Sequence, residues 1–404
     1  MSDTRATPRS IGLAIVVALS FAASFAVAQE KGGDVGIVAK RTFAMASYAT
    51  VGGGKIRDLK VGWESYGTLN AARDNAIIVP HFFSGSSHAA GKYKAEDAAP
   101  GYWNAIIGPG KAIDTNKFYV VSVDSLVNLN TKDPNVVTTG PASIDPDTGK
   151  PYGMRFPIVT IRDFVNVQKA LLDSLGVTKV HAAIGASMGS MQAIEWAAAY
   201  PEFVDRLVAV IPTAEIDAFT IGRLNLWASA ITLDPNWSGG DYYGKTEPTQ
   251  GLALALKMVT LDARHYGWAD RAFARKWAAP DRDPGKAFES KYAIEDTLDR
   301  AALARARVSD ANSFLYLVKA NQLFVAGHEE SLEEGLGKIN ARSLFIPASS
   351  DLLLPSAFSR RAVEILKSQG KKADLVEIDG DGGHLDGLLA VAKVGDRIAK
   401  FLSK

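Results

Sequence analysis

The chain has 404 residues, 47% hydrophobic and 22% charged, with a formal net charge of +1. Forty-five basic residues against 44 acidic ones leave no field to gather nucleic acid or an anionic membrane surface. There is no cysteine, which excludes a disulfide framework, a lipoprotein anchor, a thiol nucleophile and a thiolate zinc site together.

In chain order, the first signal is a targeting one. Arg5 and Arg9 precede an apolar run over 11–27 that closes on Ala26-Val27-Ala28. A basic start, an apolar middle and small residues at the −3 and −1 positions predict a secretory signal over 1–28 and a periplasmic or secreted product. An uncleaved anchor is the competing reading, because the run approaches spanning length. Its content of small Ala and Ser favours cleavage, after which no stable membrane insertion is expected.

Strand and helix signals then alternate. Strands are expected over 58–67, 75–79 and 118–123, the last a nearly continuous apolar run suited to burial on both faces. A helix is expected over 159–175, with Ile161, Phe164, Val165, Leu171 and Leu172 on one side. Strands over 180–184 and 207–211 flank a helix from about Ser190 to Tyr200. From 213 to 337 the pattern turns mainly helical, with large aromatics at intervals and no convincing buried strand. Strand signals resume over 343–346 and 375–378, around a helix at 357–368. This alternation predicts an α/β fold with a mostly parallel sheet flanked by helices. Its core spans 29–212 and 338–404, and 213–337 is an inserted helical lid rather than a separate domain.

One segment carries chemistry. Gly185-Ala186-Ser187-Met188-Gly189 joins a buried strand to a helix, the setting in which a nucleophilic serine projects from a sharp turn at the carboxyl end of a sheet. The glycines let strand and helix approach, and the helix N-terminus faces developing negative charge. Such a serine needs a base and an orienting acid, in the order Ser, then Asp or Glu, then His. Only His265, His328 and His384 follow Ser187, and the first two fall within the lid. His384 lies on the loop after the last expected strand and is the candidate base. Asp351, just past the strand at 343–346, is the candidate acid, with Asp379 and Asp381 as rivals on the histidine's own loop. The oxyanion hole is expected from the N–H groups of Met188 and Phe83, the latter in the His81–Gly85 loop after an earlier strand. His81 and His88 match no common zinc spacing, so structural roles are expected. Neither a metal nor a cofactor is called for, and the substrate-binding residues stay open. The expected partner is a small-molecule ester or acyl donor.

The sequence also resembles the homoserine O-acetyltransferases of the α/β-hydrolase superfamily over nearly all of the chain after the signal segment. The resemblance rests on Leu59 to Asn70, His81 to His88, Ile107 to Thr115, Thr139 to Pro146, Ser187 to Trp196 and Asp234 to Tyr242, all in the same order. It implies a triad of Ser187, His384 and Asp351, a helical lid over a tunnel to the serine, and in many members a homodimer. Two positions depart from the pattern. Where the family usually has a lid arginine that would hold the substrate carboxylate, this chain has Ala228, with Arg223 five residues earlier. Where the family tends to have an Asp directly after the histidine, this chain has Leu385, with Asp386 next. Losing both charge partners should weaken discrimination for an α-amino acid, each such bond contributing on the order of 1.5–3 kcal/mol. The expectation is therefore an exported serine hydrolase or acyltransferase on this scaffold. A genuine homoserine O-acetyltransferase using acetyl-CoA, or a non-catalytic binding protein on the same fold, are the alternatives.

Overall fold

A computed structural model of the chain describes residues 32–403. The expected signal segment, 1–28, lies outside the described residues.

The buried apolar runs pair into one eight-stranded sheet. In chain order its strands are β1 (Arg41–Ala49), β2 (Lys55–Tyr66), β3 (Ala76–Ile78) and β4 (Tyr119–Val123). They continue with β5 (Val180–Ala186), β6 (Arg206–Val210), β7 (Arg342–Ile346) and β8 (Ala373–Leu375). Across the sheet the order is β1-β2-β4-β3-β5-β6-β7-β8. Pairing is antiparallel from β1 through β2 to β4 and parallel from there on. After β3 the chain builds β4 on one side, then returns to place β5 on the other. The loops leaving β3 and β5 therefore diverge and open a crevice at their carboxyl ends, the place where parallel sheets bind ligands.

Helices α1 (Ile161–Ser174), α2 (Met188–Ala199) and α9 (Ser356–Ser368) cover one face of the sheet, and Gly395–Leu402 packs into the apolar cluster on the other. α1 starts where it does because Thr160 and Asp163 form a reciprocal capping box. Between β6 and β7 lie α3 (Ala218–Thr232), α4 (Thr249–Asp262), α5 (Tyr266–Ala272), α6 (Ala293–Ala306), α7 (Ala311–Gln322) and α8 (Leu332–Gly337). α3 packs on α4 and α7, and α4 on α6, whereas α8 packs on α2 and α9 beside the sheet.

Three local expectations are corrected. β1 was not anticipated: of its nine residues only Tyr48 is buried, so the apolar signal of a core strand is missing, and β2 is its one partner in the sheet. The last strand is Ala373–Leu375 rather than 375–378, and Ile378 makes only an isolated bridge to Ala348. The helix expected from about Ser190 begins at Met188, directly after the serine.

Candidate active site

Ser187 directly follows β5, with φ 56° and ψ −124°, a region that non-glycine residues rarely occupy. Its N–H is held by the Val210 carbonyl of β6 at 3.0 Å. The turn exists because its flanks carry no side chain. A Cβ on Gly185 would stand 2.1 Å from the Gly189 carbonyl oxygen, and one on Gly189 would stand 2.3 Å from the Pro80 carbonyl oxygen.

His384 arrives on the short turn Gly383–Leu385 beyond β8. The Ser187 hydroxyl donates to its Nε2 at 2.7 Å, and its Nδ1–H donates to Asp351 Oδ2 at 2.6 Å. Asp351, on the turn after β7, accepts the Leu353 and Leu354 N–H groups on its other oxygen at 2.8 and 2.9 Å. The carboxylate is thus oriented on both oxygens while almost fully buried. The rivals are occupied elsewhere. Asp381 is exposed and paired with Arg271, and Asp379 is exposed. Of the lid histidines, His265 caps the N-terminus of α5 by accepting from the Gly267 N–H.

Met188 is the first residue of α2, and Phe83 sits in the loop after β3; among the described residues neither N–H has a hydrogen-bond partner. The Phe83 loop is pinned from beneath. Asn128 Nδ2 donates to the Gly85 carbonyl and Asn130 Nδ2 to that of Ser84, each at 3.1 Å, while Asp124 Oδ1 accepts the Ser87 N–H at 2.7 Å. His81 is fully buried, with Nδ1–H donating to its neighbour's carbonyl and Nε2 accepting the Ser125 N–H at 3.0 Å. Burial holds its pKa below the usual value, in keeping with a neutral ring. His88 sits against Glu64 at 3.1 Å, and Lys40 lies 3.0 Å from the same carboxylate. Burial alone would raise the Glu64 pKa, but the His88 hydrogen bond and the charge of Lys40 outweigh it and hold it below the usual value.

Ser187 and His384 open into a cavity of about 210 Å³. Its walls are largely apolar: Phe82, Phe83, Met191, Leu224, Trp227, Leu353 and Leu388 among others, with Leu385, next in the chain after His384, also lining it. Ala228 does not line it. Arg223 points elsewhere, donating to the Leu352 carbonyl at 3.0 Å and stacking on Phe219. Asp386 is turned away as well, accepting the Gly382 N–H at 2.9 Å behind the histidine loop. Neither offset charge therefore stands in for the family's charge partners. Sequence reasoning missed Arg264 and Arg305, the arginines that do line the cavity. For Arg305 a signal exists: it follows Leu298, Ala301 and Ala302 at seven-, four- and three-residue spacing on the buried face of α6.

The sheet order, the serine turn and the lid between β6 and β7 define an α/β hydrolase, and the family profile of the alpha/beta hydrolase fold matches residues 135–390. A homoserine O-acetyltransferase of Deferribacter desulfuricans is 40% identical over 350 residues, covering 86% of this chain and 90% of that one. The chain belongs to the homoserine O-acetyltransferase family of α/β hydrolases. Among solved structures, the homoserine O-acetyltransferase of Bacillus anthracis superposes with a TM-score of 0.87 at 38% identity, over 91% of this chain and 98% of the other. A protein described as esterase E22 has the same TM-score at 51% identity, over 91% of this chain and 100% of its own.

Proposed function

We propose that this chain is an exported serine hydrolase or acyltransferase that acts on small esters through an acyl-enzyme on Ser187. The observation that carries the reading is the unbroken hydrogen-bonded line from Asp351 through His384 to Ser187, opening onto an apolar cavity. In the reaction, Ser187 Oγ attacks the ester carbonyl while His384 Nε2 takes the hydroxyl proton. The oxyanion is stabilised by the N–H groups of Met188 and Phe83. When the tetrahedral intermediate collapses, the C–O bond to the alcohol breaks and His384 returns the proton to that oxygen. Water, or another alcohol, then attacks the acyl-enzyme with His384 again as base, and Ser187 regains its proton. Asp351 holds the imidazole in the tautomer that keeps Nε2 free to accept.

Preference for esters is supported by Leu385 beside the histidine, by the absence of Ala228 and Arg223 from the cavity, and by the likeness to esterase E22 at 51% identity. Export is supported by the basic, apolar and small-residue order of 1–28. A second reading, acetyl transfer from acetyl-CoA to homoserine, is favoured by the name of the Deferribacter relative at 40% identity.

The test is purified protein assayed with a nitrophenyl ester and, separately, with acetyl-CoA plus homoserine. Ester turnover with little acetyl-homoserine is expected, and efficient transfer to homoserine overturns the preference. A fluorophosphonate probe should label the wild-type protein and not Ser187→Ala. Labelling that survives the substitution would mean another nucleophile.

A further inference from the structure

The cavity in front of Ser187 is lined by two cations and by no acidic side chain. Arg305 on α6 and Arg264 just after α4 both line it, and no Asp or Glu does. Among the described residues neither arginine forms an ion pair. Arg305 Nη1 donates to Thr260 Oγ1 at 2.8 Å, which leaves most of the five guanidinium donors uncommitted. Burial with no counter-charge brings the Arg305 pKa down to about 10, so the group is still cationic at neutral pH. Arg264 lies 4.5 Å over the Trp268 ring, and its buried Nε has no hydrogen-bond partner. Burial lowers its pKa, with the charge of Asp386 opposing.

A desolvated cation without a counter-charge costs stability, and a substitution of Arg305 toward Leu or Met would relieve it. Retaining Arg305, with a second guanidinium at Arg264 lining the same largely apolar cavity, is understandable if a ligand supplies the missing charge. A carboxylate fits the uncommitted guanidinium fork, accepting two parallel N–H bonds. We propose that Arg305, assisted by Arg264, forms a carboxylate-binding subsite, so that the preferred esters carry a free carboxylate in the cavity while the ester faces Ser187. The inference rests on the reading of Ser187 as the nucleophile at that cavity. It places recognition of the acid on α6 and the α4–α5 turn, not on α3.

The carboxylate could belong to either half of the ester, and two substrate pairs separate the cases. Monoethyl succinate against ethyl succinamate tests an acid on the acyl side, and acetoxyacetate against acetoxyacetamide tests one on the alcohol side. Hydrolysis is followed by product chromatography. For wild type, kcat/KM for one acid should exceed that for its amide by about 10- to 100-fold, equivalent to roughly 1.4–2.8 kcal/mol. That ratio should collapse toward one in Arg305→Gln and be partly restored in Arg305→Lys, with circular dichroism checking the fold of each variant. The ratio is internal to each protein, so a general loss of activity does not imitate the effect. Calorimetric titration of Ser187→Ala with the same four compounds reads the subsite without turnover. Tighter binding of an acid there, with no hydrolysis by wild type, would overturn the proposed function and leave the subsite standing. If neither acid outperforms its amide in binding or turnover, or if the preference survives Arg305→Gln, the subsite is refuted.

Discussion

Ser187 occupies a strained backbone region at φ 56°, and the strain persists because both flanks over-determine it: the N–H is tied to Val210 and the glycines admit no alternative packing. The same logic of fixed orientation governs Asp351, which gives one oxygen to the imidazole and the other to two backbone N–H groups. Replacing it by Asn keeps the shape but favours the wrong tautomer of His384. Asp351→Asn should therefore lower kcat by on the order of 10³–10⁴ with a small change in KM, measured by steady-state ester hydrolysis. His81 gives a residue-level prediction about pH. Its folded-state pKa is depressed by burial, so the unfolded chain binds the proton more readily. The stabilising contribution is full above the unfolded value of about 6.5 and is lost as pH falls through the depressed folded value. Urea midpoints should fall between pH 7.5 and 5.5, and His81→Gln should flatten that slope while lowering stability throughout. An equal slope in the variant would assign the effect to other groups.

At the scale of elements, the site depends on how loops are tied to helices and strands. Asp163 is fully buried and accepts four hydrogen bonds: the Tyr48 hydroxyl and the Val51 N–H, each at 2.8 Å, and the Thr160 N–H and hydroxyl, at 2.7 and 2.8 Å. It caps α1 and fastens the β1–β2 hairpin to it. Asp163→Ala would strand those donors and should cost about 2–4 kcal/mol in urea unfolding, with hairpin amides exchanging faster. The Phe83 loop offers a contrasting case. Asn130 supports it through the Ser84 carbonyl without lining the cavity. Asn130→Ala should lower kcat by roughly 10-fold with KM little changed, because a displaced N–H is missed chiefly in the transition state. An unaltered kcat would show that the loop keeps its place without this bond. The core strands and α1 were readable from their apolar patterns, since burial on both faces or on one helical stripe leaves a local mark. β1 leaves none, because its residues are mostly exposed and it lies at the sheet edge, paired with β2 on one side only.

Over the whole molecule, the sheet order brings together groups far apart in the chain. The reversal around β3 sets the Phe83 loop beside the serine turn, and β7 and β8 deliver Asp351 and His384 to the same edge. The helices between β6 and β7 pack above, with Phe83 meeting Trp227 of α3 and Phe314 of α7 at ring separations of 6.1 and 5.2 Å. These edge contacts join α3 and α7 to the Phe83 loop. Trp227→Ala should enlarge the cavity and shift hydrolysis toward longer acyl esters, read as a change in kcat/KM along a nitrophenyl ester series. An unchanged chain-length profile would mean that Trp227 does not bound the acyl site. For export, intact mass spectrometry of protein from the cell envelope should find an N-terminus at Gln29.

The candidate nucleophile, base and acid could be named from sequence because each lies where a strand signal ends, and a strand end is a local property of apolar residues and glycines. The helical character of 213–337 was legible for the same reason. Which charges line the cavity was not. Arg223 and Asp386 stand near the family's charged positions along the chain, yet packing turns both away, while Arg305 reaches the cavity from α6 and Arg264 from the α4–α5 turn, and no local pattern records how those elements are arranged. Chain order and periodicity dictate elements and their ends, whereas the direction of a long side chain depends on what the neighbouring elements leave open.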